Sequence, residues 1–417
     1  MLKGLAILWN SFRMALQELK VNKLRTFLSL FGITIGIFCI IGVLATIGGL
    51  QNKIQTDIST LGSNTIYIDK WDYSGGGPDY PWWKYVNRPV PKYDEVKMIK
   101  EKSSLAEYVC YFNSSTATMQ YEDNQLQNAS IYGVTEDFNK IQTVDIAYGR
   151  YLNDFEFQRG NAVGVLGYEN AEQLFGNASK AVGQTMSFNK HTVTIIGVTA
   201  KQGQSMIGNA YDYDHALLVS YRFYASIYNA QNGDPFIMVK AADQVPSGAL
   251  VDELRGAMRQ VRKLSPKTED NFALNDVNMF SEQVSGFFGS VNIGGWVIAA
   301  LSLVVGLFGV ANIMFVTVRE RTSQIGLKKA IGAKRASILF EFLLESAFLC
   351  IIGGLFGLAM VWLLTLVLNG VLPFTIVIAP YIIVLALSLC IGLGMLAGII
   401  PAFMAAKMNP VEAIRSK

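Results

Sequence analysis

With 51% hydrophobic residues and a mean hydropathy of +0.30 over 417 residues, the chain is too apolar for an ordinary soluble protein of its length. The net charge is only +3, and no nucleic-acid partner is expected. That small total hides a split: residues 51–292 carry 21 Lys and Arg against 27 Asp and Glu, a balance of −6, whereas the remainder carries 14 against 5, a balance of +9.

In chain order, residues 1–26 place Leu5, Trp9, Phe12, Leu16 and Leu19 on one helical face, with Asn10, Arg13, Gln17 and Lys20 on the other. This spacing predicts an amphipathic helix lying in a membrane interface. Apolar runs follow at 27–50, 293–318, 338–368 and 376–406. Each can cross about 30 Å of hydrocarbon as a helix. The first is too long and too far from the N-terminus for a cleaved leader and is expected to stay as an anchor.

Basic residues gather before the first span, between the second and third (319–337), and after the fourth (407–417). By the positive-inside rule these stretches face the cytoplasm, both termini included, and the acidic block 51–292 lies outside. Gly32 and Gly36, Gly353 and Gly357, and Gly394 and Gly398 are pairs four residues apart within three of the spans. Such spacing lets helices approach closely. Four spans are few for a permease, so a dimer is expected.

Within 51–292, β-branched runs at 64–69, 163–166, 191–198 and 236–239 predict strands, and 168–175 and 249–261 predict helices. The expectation is an α+β domain with small mixed sheets. Residues 71–91, with Gly75, Gly76, Gly77, Trp71, Trp82 and Trp83, form a turn-rich excursion whose aromatics are expected to pack back on the domain.

Enzyme chemistry is absent. No G-x-x-x-x-G-K-[ST] phosphate loop, H-E-x-x-H or G-x-S-x-G occurs. Cys39, Cys350 and Cys390 fall inside spans, and Cys110 alone belongs to the exterior block, so neither a disulfide framework nor a zinc site is expected there. Asp212 and Asp214 beside His215 read as solvated loop charges.

The stretch 318–335, V-R-E-R-T-S-Q-I-G-L-K-K-A-I-G-A-K-R, holds six basic residues against one acid. It reads as a short docking helix that Thr322 or Ser323 caps, that Ile325 and Ile331 anchor by apolar contact, and that Gly332 ends. Glu341 and Glu345 lie four apart at the start of the third span and are expected to pair with it as a charge network.

Several motifs together resemble the permease subunits of the MacB/FtsX-like ABC transporter superfamily, in its four-span, MacB-type branch. They are Asn22-Lys23-Leu24-Arg25-Thr26 with Gly32 and Gly36; Gly149-Arg150-Tyr151-Leu152; Val163-Gly164-Val165-Leu166-Gly167; the stretch 318–335; Gly353-Gly354-x-x-Gly357; and Pro410-Val411-Glu412-Ala413-Ile414-Arg415. Gln324 stands where the family usually has Glu, and Glu341 where Gln is frequent.

The resemblance implies a multi-pass subunit of the bacterial inner membrane with a two-subdomain exterior core. It implies a homodimer, or a heterodimer with a related permease, that binds no cofactor itself. ATP with Mg would sit on a separate cytoplasmic ABC ATPase dimer, docked on Arg319, Glu320, Arg321, Gln324, Ile325, Gly326, Lys328, Lys329 and Gly332. ATP-driven closure would move the exterior domain by mechanotransmission and drive efflux of a peptide, drug or lipoprotein-like substrate, with an exterior adaptor (membrane fusion protein) and an outer-membrane duct as further partners. The alternative is an FtsX-like signalling scaffold that activates an exterior cell-wall hydrolase.

Overall fold

The computed structural model describes residues 23–73, 80–203, 212–229 and 233–415. The amphipathic segment expected at 1–26 and the glycine triplet 75–77 lie outside the described residues, apart from the helical residues 23–26. In chain order the main elements are α1 (Lys23–Thr60), β1 (Thr65–Asp69), α2 (Tyr93–Lys102), β2 (Ala106–Tyr121), β3 (Asn124–Val134), β4 (Ile146–Gly149), β5 (Val163–Leu166) and α3 (Tyr168–Phe175). Then follow β6 (Thr185–Phe188), β7 (His191–Thr199), β8 (Ala216–Ser220), β9 (Phe236–Ala241), α4 (Ser247–Val261) and β10 (Ala273–Asp276). The chain closes with α5 (Val277–Glu320), α6 (Thr322–Ala330), α7 (Arg335–Leu368), α8 (Pro380–Lys407) and α9 (Pro410–Arg415). Contacts divide the described residues into a helical unit, 23–52 with 286–415, and an α+β unit within 53–285.

In the α+β unit a single mixed sheet of ten strands replaces the small sheets expected from sequence. Its order is β10-β1-β9-β2-β3-β8-β5-β7-β4, with β6 paired to β2 and β7. The β3–β8 and β5–β7 pairs are parallel; the others are antiparallel.

Both faces of the sheet are buried, which accounts for the almost continuous apolar character of its central strands. Alternate residues feed different cores: Ile66, Ile68, Leu217, Val219, Ile237 and Val239 join one cluster. Tyr67, Ala216, Leu218, Phe236 and Met238 join the other. A shift of one residue in register would exchange the two sets, so the pattern fixes the pairing. The longest hairpin, β2–β3, escapes a sequence reading because its outer half, Asn113 to Gln120 opposite Gln125 to Gly133, is rich in Ser, Thr and Asn.

Helix α4 is tied to the entrance of β2 by Glu253. Its carboxylate accepts from the Ser103 hydroxyl at 2.6 Å, the Ser104 amide and hydroxyl at 2.9 Å each, and the Leu105 amide at 3.0 Å. Desolvation pushes this carboxyl up, but these bonds to its charged form outweigh that and hold it below the usual glutamate range.

Among the described residues four helices, α1, α5, α7 and α8, are long and apolar enough to cross a membrane. Two of them extend well past the apolar runs, to Thr60 in α1 and back to Val277 in α5. The fourth starts at Pro380 rather than at 376, because proline fits the first turn of a helix, where no amide partner is needed. The preceding loop is closed by Asn369, which accepts from the Ile376 amide at 2.7 Å and donates to the Ile376 carbonyl at 3.2 Å.

A depressed carboxyl stabilises the fold above its ordinary titration range, and that contribution is lost as pH falls through the lowered value. Glu253→Gln is therefore expected to lower the melting temperature of the purified chain near neutral pH by several degrees, for a loss of about 1–3 kcal/mol. The gap to the natural protein should close as the pH drops below the glutamate range. Melting curves at a series of pH values check this; a gap independent of pH contradicts it.

Candidate docking site

The helical unit is assembled where side chains are small. A Cβ on Gly32 would come within 3.6 Å of Gly306 in α5, and one on Gly36 within 3.3 Å of the Ser302 carbonyl. A Cβ on Gly353 would come within 3.2 Å of the Ile33 side chain, and one on Gly357 within 2.8 Å of the Thr34 carbonyl, both on α1. The Thr34 hydroxyl donates to the Gly353 carbonyl at 3.1 Å across the same contact. On α8, a Cβ at Gly394 would lie 2.6 Å from Ala347 of α7, and Gly398 abuts Ser346. The three glycine pairs thus lie against α5, α1 and α7 in turn, with backbones too close for even one added methyl in several places. Ser302 and Gly306, also four residues apart, are the counterpart that the sequence reading left unmarked.

At one end of this unit the stretch after α5 folds as α6. Its N-cap is Arg321, with no side-chain capping bond. Thr322, expected as a cap, instead donates back to the carbonyls of Val318 at 3.1 Å and Arg319 at 2.8 Å, because it already lies inside the first turn. Gly332 has φ +97°, a left-handed turn that a glycine adopts freely, and follows the helix end. Ile325 is buried, whereas Ile331 is 80% exposed and anchors nothing within the chain.

Two ion pairs hold α6 to α7. Lys328 donates to Glu341 at 2.6 Å. Arg321 lies 3.1 Å from Glu345 Oε1 and donates to Oε2 at 3.5 Å, and Glu345 is 1% exposed. A carboxylate so deeply buried is tolerable only with its cation in place. Lys329 takes a third role: its ammonium donates to the carbonyls of Ala406 and Met408, both at 2.6 Å, at the end of α8. It thereby satisfies carbonyls that a helix terminus leaves without partners.

Helix α9, which the sequence reading did not mark as a site, lies directly on α6. A Cβ on Gly326 would meet the Ala413 Cβ at 2.8 Å and Ile414 at 3.1 Å. The outward residues of this helix pair are apolar: Leu327 is 57% exposed, Val411 69% and Ile414 51%. Arg319, Glu320, Gln324, Lys334, Arg335 and Lys407 are exposed around them.

In the α+β unit, Asp214 is buried rather than solvated and accepts from the amides of Gln202 and Gly203, closing the base of a loop. Asp212 pairs with His215 at 2.8 Å. No cluster of metal-ligating residues occurs among the described residues. Trp82 and Trp83, 57% and 61% exposed, stand out from the domain instead of packing back on it. The same unit holds a cavity of about 440 Å³ lined by Tyr67, Tyr73, Leu274 and Phe280 together with Asp72, Asp276 and Arg255.

Residues 26–257 match the family described as MacB-like periplasmic core domain, and residues 296–410 match the FtsX-like permease C-terminal family. Over 409 residues the chain is 32% identical to the macrolide export ATP-binding/permease protein MacB of Neisseria gonorrhoeae, covering 97% of this chain and 60% of that protein. The macrolide export ATP-binding/permease protein MacB of Bdellovibrio bacteriovorus is 32% identical over 406 residues, covering 96% and 60%. The chain therefore spans about three-fifths of the length of these relatives. Among solved structures, the periplasmic region of MacB from Actinobacillus actinomycetemcomitans matches with a TM-score of 0.44 and 19% identity, covering 55% of this chain and 95% of that one.

Removing Arg321 would strand a buried charge. Arg321→Ala is expected to cost about 3–5 kcal/mol, and Arg321→Met combined with Glu345→Leu much less, because the double change removes both charges. Thermal melting in detergent checks the order of the two; equal losses would contradict it.

Proposed function

Since the chain belongs to the family of MacB-like permeases with an FtsX-like C-terminal region, we propose that it is the membrane-spanning subunit of an ABC-type exporter of the bacterial inner membrane, with both termini in the cytoplasm. ATP hydrolysis takes place in an ATP-binding partner, and α6 is where that partner pushes. The observation that carries this reading is the tethering of α6: an outward apolar face backed by the Arg321–Glu345 and Lys328–Glu341 pairs.

A force on α6 must be passed on, because two ion pairs and the Lys329 latch leave it no freedom to slide separately from α7 and α8. Among the described residues, the buried Glu345 of the spans is matched by Arg321, and the α7–α8 contact is closely packed at Gly394 and Gly398, which suits handling of substrate outside the bundle. In this reading substrate is handled outside, and the stroke is transmitted to the α+β unit by a dimer of this chain or by a pair with a related permease. The cavity of about 440 Å³ has the size and mixed lining of a small-molecule chamber. The exposed Trp82 and Trp83 are suited to an exterior adaptor that leads on to an outer-membrane duct. The large MacB-like α+β region favours export over an FtsX-like scaffold that activates a cell-wall hydrolase.

Lys328 and Lys329 are engaged inside the chain, so the residues that meet the partner are Leu327, Ile331 and their exposed neighbours. In the reconstituted complex with the copurifying ATPase, Leu327→Asp with Ile331→Asp is expected to lower stimulated ATP turnover about tenfold or more, the loss of a contact of about 1.4 kcal/mol. Membrane insertion should be unchanged. Full stimulation by this variant would rule out α6 as the docking element.

A further inference from the structure

Three features of the C-terminal end bear on α9 as well as on α6. The first is the packing of α9 on α6 with no room to spare: Gly326 is buried beneath Ala413, and an added Cβ there would stand 2.8 Å from the Ala413 Cβ. The second is the investment of Lys329, which spends two donors at 2.6 Å on the carbonyls of Ala406 and Met408, the residues that lead into α9. The third is the outward face of α9. Ala413 is buried, while Val411 and Ile414, three apart and so on neighbouring turns of one face, are 69% and 51% exposed.

A short surface helix that buries one alanine and exposes a valine and an isoleucine is poorly matched to water. A Cβ on Gly326 would come within 3.1 Å of the Ile414 side chain, and Gly326 adjoins Leu327 in the chain, so the exposed side chains of α9 and α6 flank one seam. Lys334 and Arg335, a few residues after α6, and Lys407, three residues before α9, are exposed, with Glu412 as an acid on α9.

We infer that α9 is the second half of the docking surface, so that the ATP-binding partner seats an apolar, acid-rimmed groove across α6 and α9 together. This rests on the reading of α6 as the docking element. The commitment to that occupant comes from continuity with the α6 face, from the basic rim, and from the relatives, in which an ATP-binding and a permease function share one name and this chain accounts for 60% of the length. Lys329 sets the position of α9, because its two bonds fix the chain between Ala406 and Met408 just before the helix begins at Pro410. Gly326 is a positioning residue: it lets the two helices meet closely enough for their exposed residues to form one surface.

The test uses the full chain reconstituted with its copurified ATP-binding partner, measuring the dissociation constant and stimulated ATP turnover. Val411→Asp and Ile414→Asp are each expected to weaken binding about tenfold, comparably to Leu327→Asp, with unchanged melting of the chain. Gly326→Ala should weaken binding by displacing α9, and Ala413→Gly added to it should restore at least half of the loss. Binding should also weaken as ionic strength rises from about 0.1 M to about 0.5 M, as a charged rim requires. If Val411→Asp binds like the natural protein while Leu327→Asp does not, the inference about α9 is overturned and the α6 reading stands. If Leu327→Asp also binds normally, the α6 reading falls too. Should Ile414→Asp alter melting, Val411→Asp, whose side chain is the more exposed, decides the matter.

Discussion

The arrangement of the helical unit depends on one buried charge. Glu345 is 1% exposed in an apolar helix, and the Arg321 guanidinium lies 3.1 Å from its carboxylate, the countercharge that so deep a position requires. Arg321 is also the N-cap of α6. A requirement of electrostatics inside α7 thereby dictates where α6 begins. With that end fixed, Lys328 at the other end of α6 reaches Glu341 one turn earlier on α7, and Lys329 reaches the end of α8. The helix is pinned at both ends to different spans, which is the mechanical condition for passing a push from one to the others.

The same logic of close fit runs through the spans. Lipid supplies little hydrophobic drive between apolar helices, so packing must supply the cohesion, and it does so where glycine lets backbones meet. Gly357 against the Thr34 carbonyl and Gly394 against Ala347 leave no space for a side chain. Interfaces of this kind resist gradual sliding, since any displacement brings atoms into overlap. A unit built this way moves as joined helices or not at all.

Much of this was legible in the sequence because the relevant signals are local. The four apolar runs, the glycine spacing and the acids Glu341 and Glu345 near a basic stretch all depend on residues a few positions apart. The β1, β5, β7 and β9 strands stand out because they are rich in β-branched residues. What stayed hidden depends on contacts distant in sequence. The polar outer half of the β2–β3 hairpin becomes a strand only because each has the other as a partner. Nothing near Ile331 announces that it faces outward, and nothing near Ala413 announces that it lies beneath Gly326, because 87 residues separate the two. Thr322 looked like a cap from its type and position; one residue of difference in where the helix starts turned its hydroxyl back on the preceding turn.

Transmission from a docked partner to the α+β unit is the claim on which the functional account turns. Pulsed dipolar spectroscopy between spin labels at Lys97, a fully described and exposed position on α2, in the two copies of a reconstituted dimer measures it directly. The account predicts a distance distribution that shifts between the nucleotide-free and ATP-bound complex. Identical distributions in both states, in a complex that hydrolyses ATP, would contradict it.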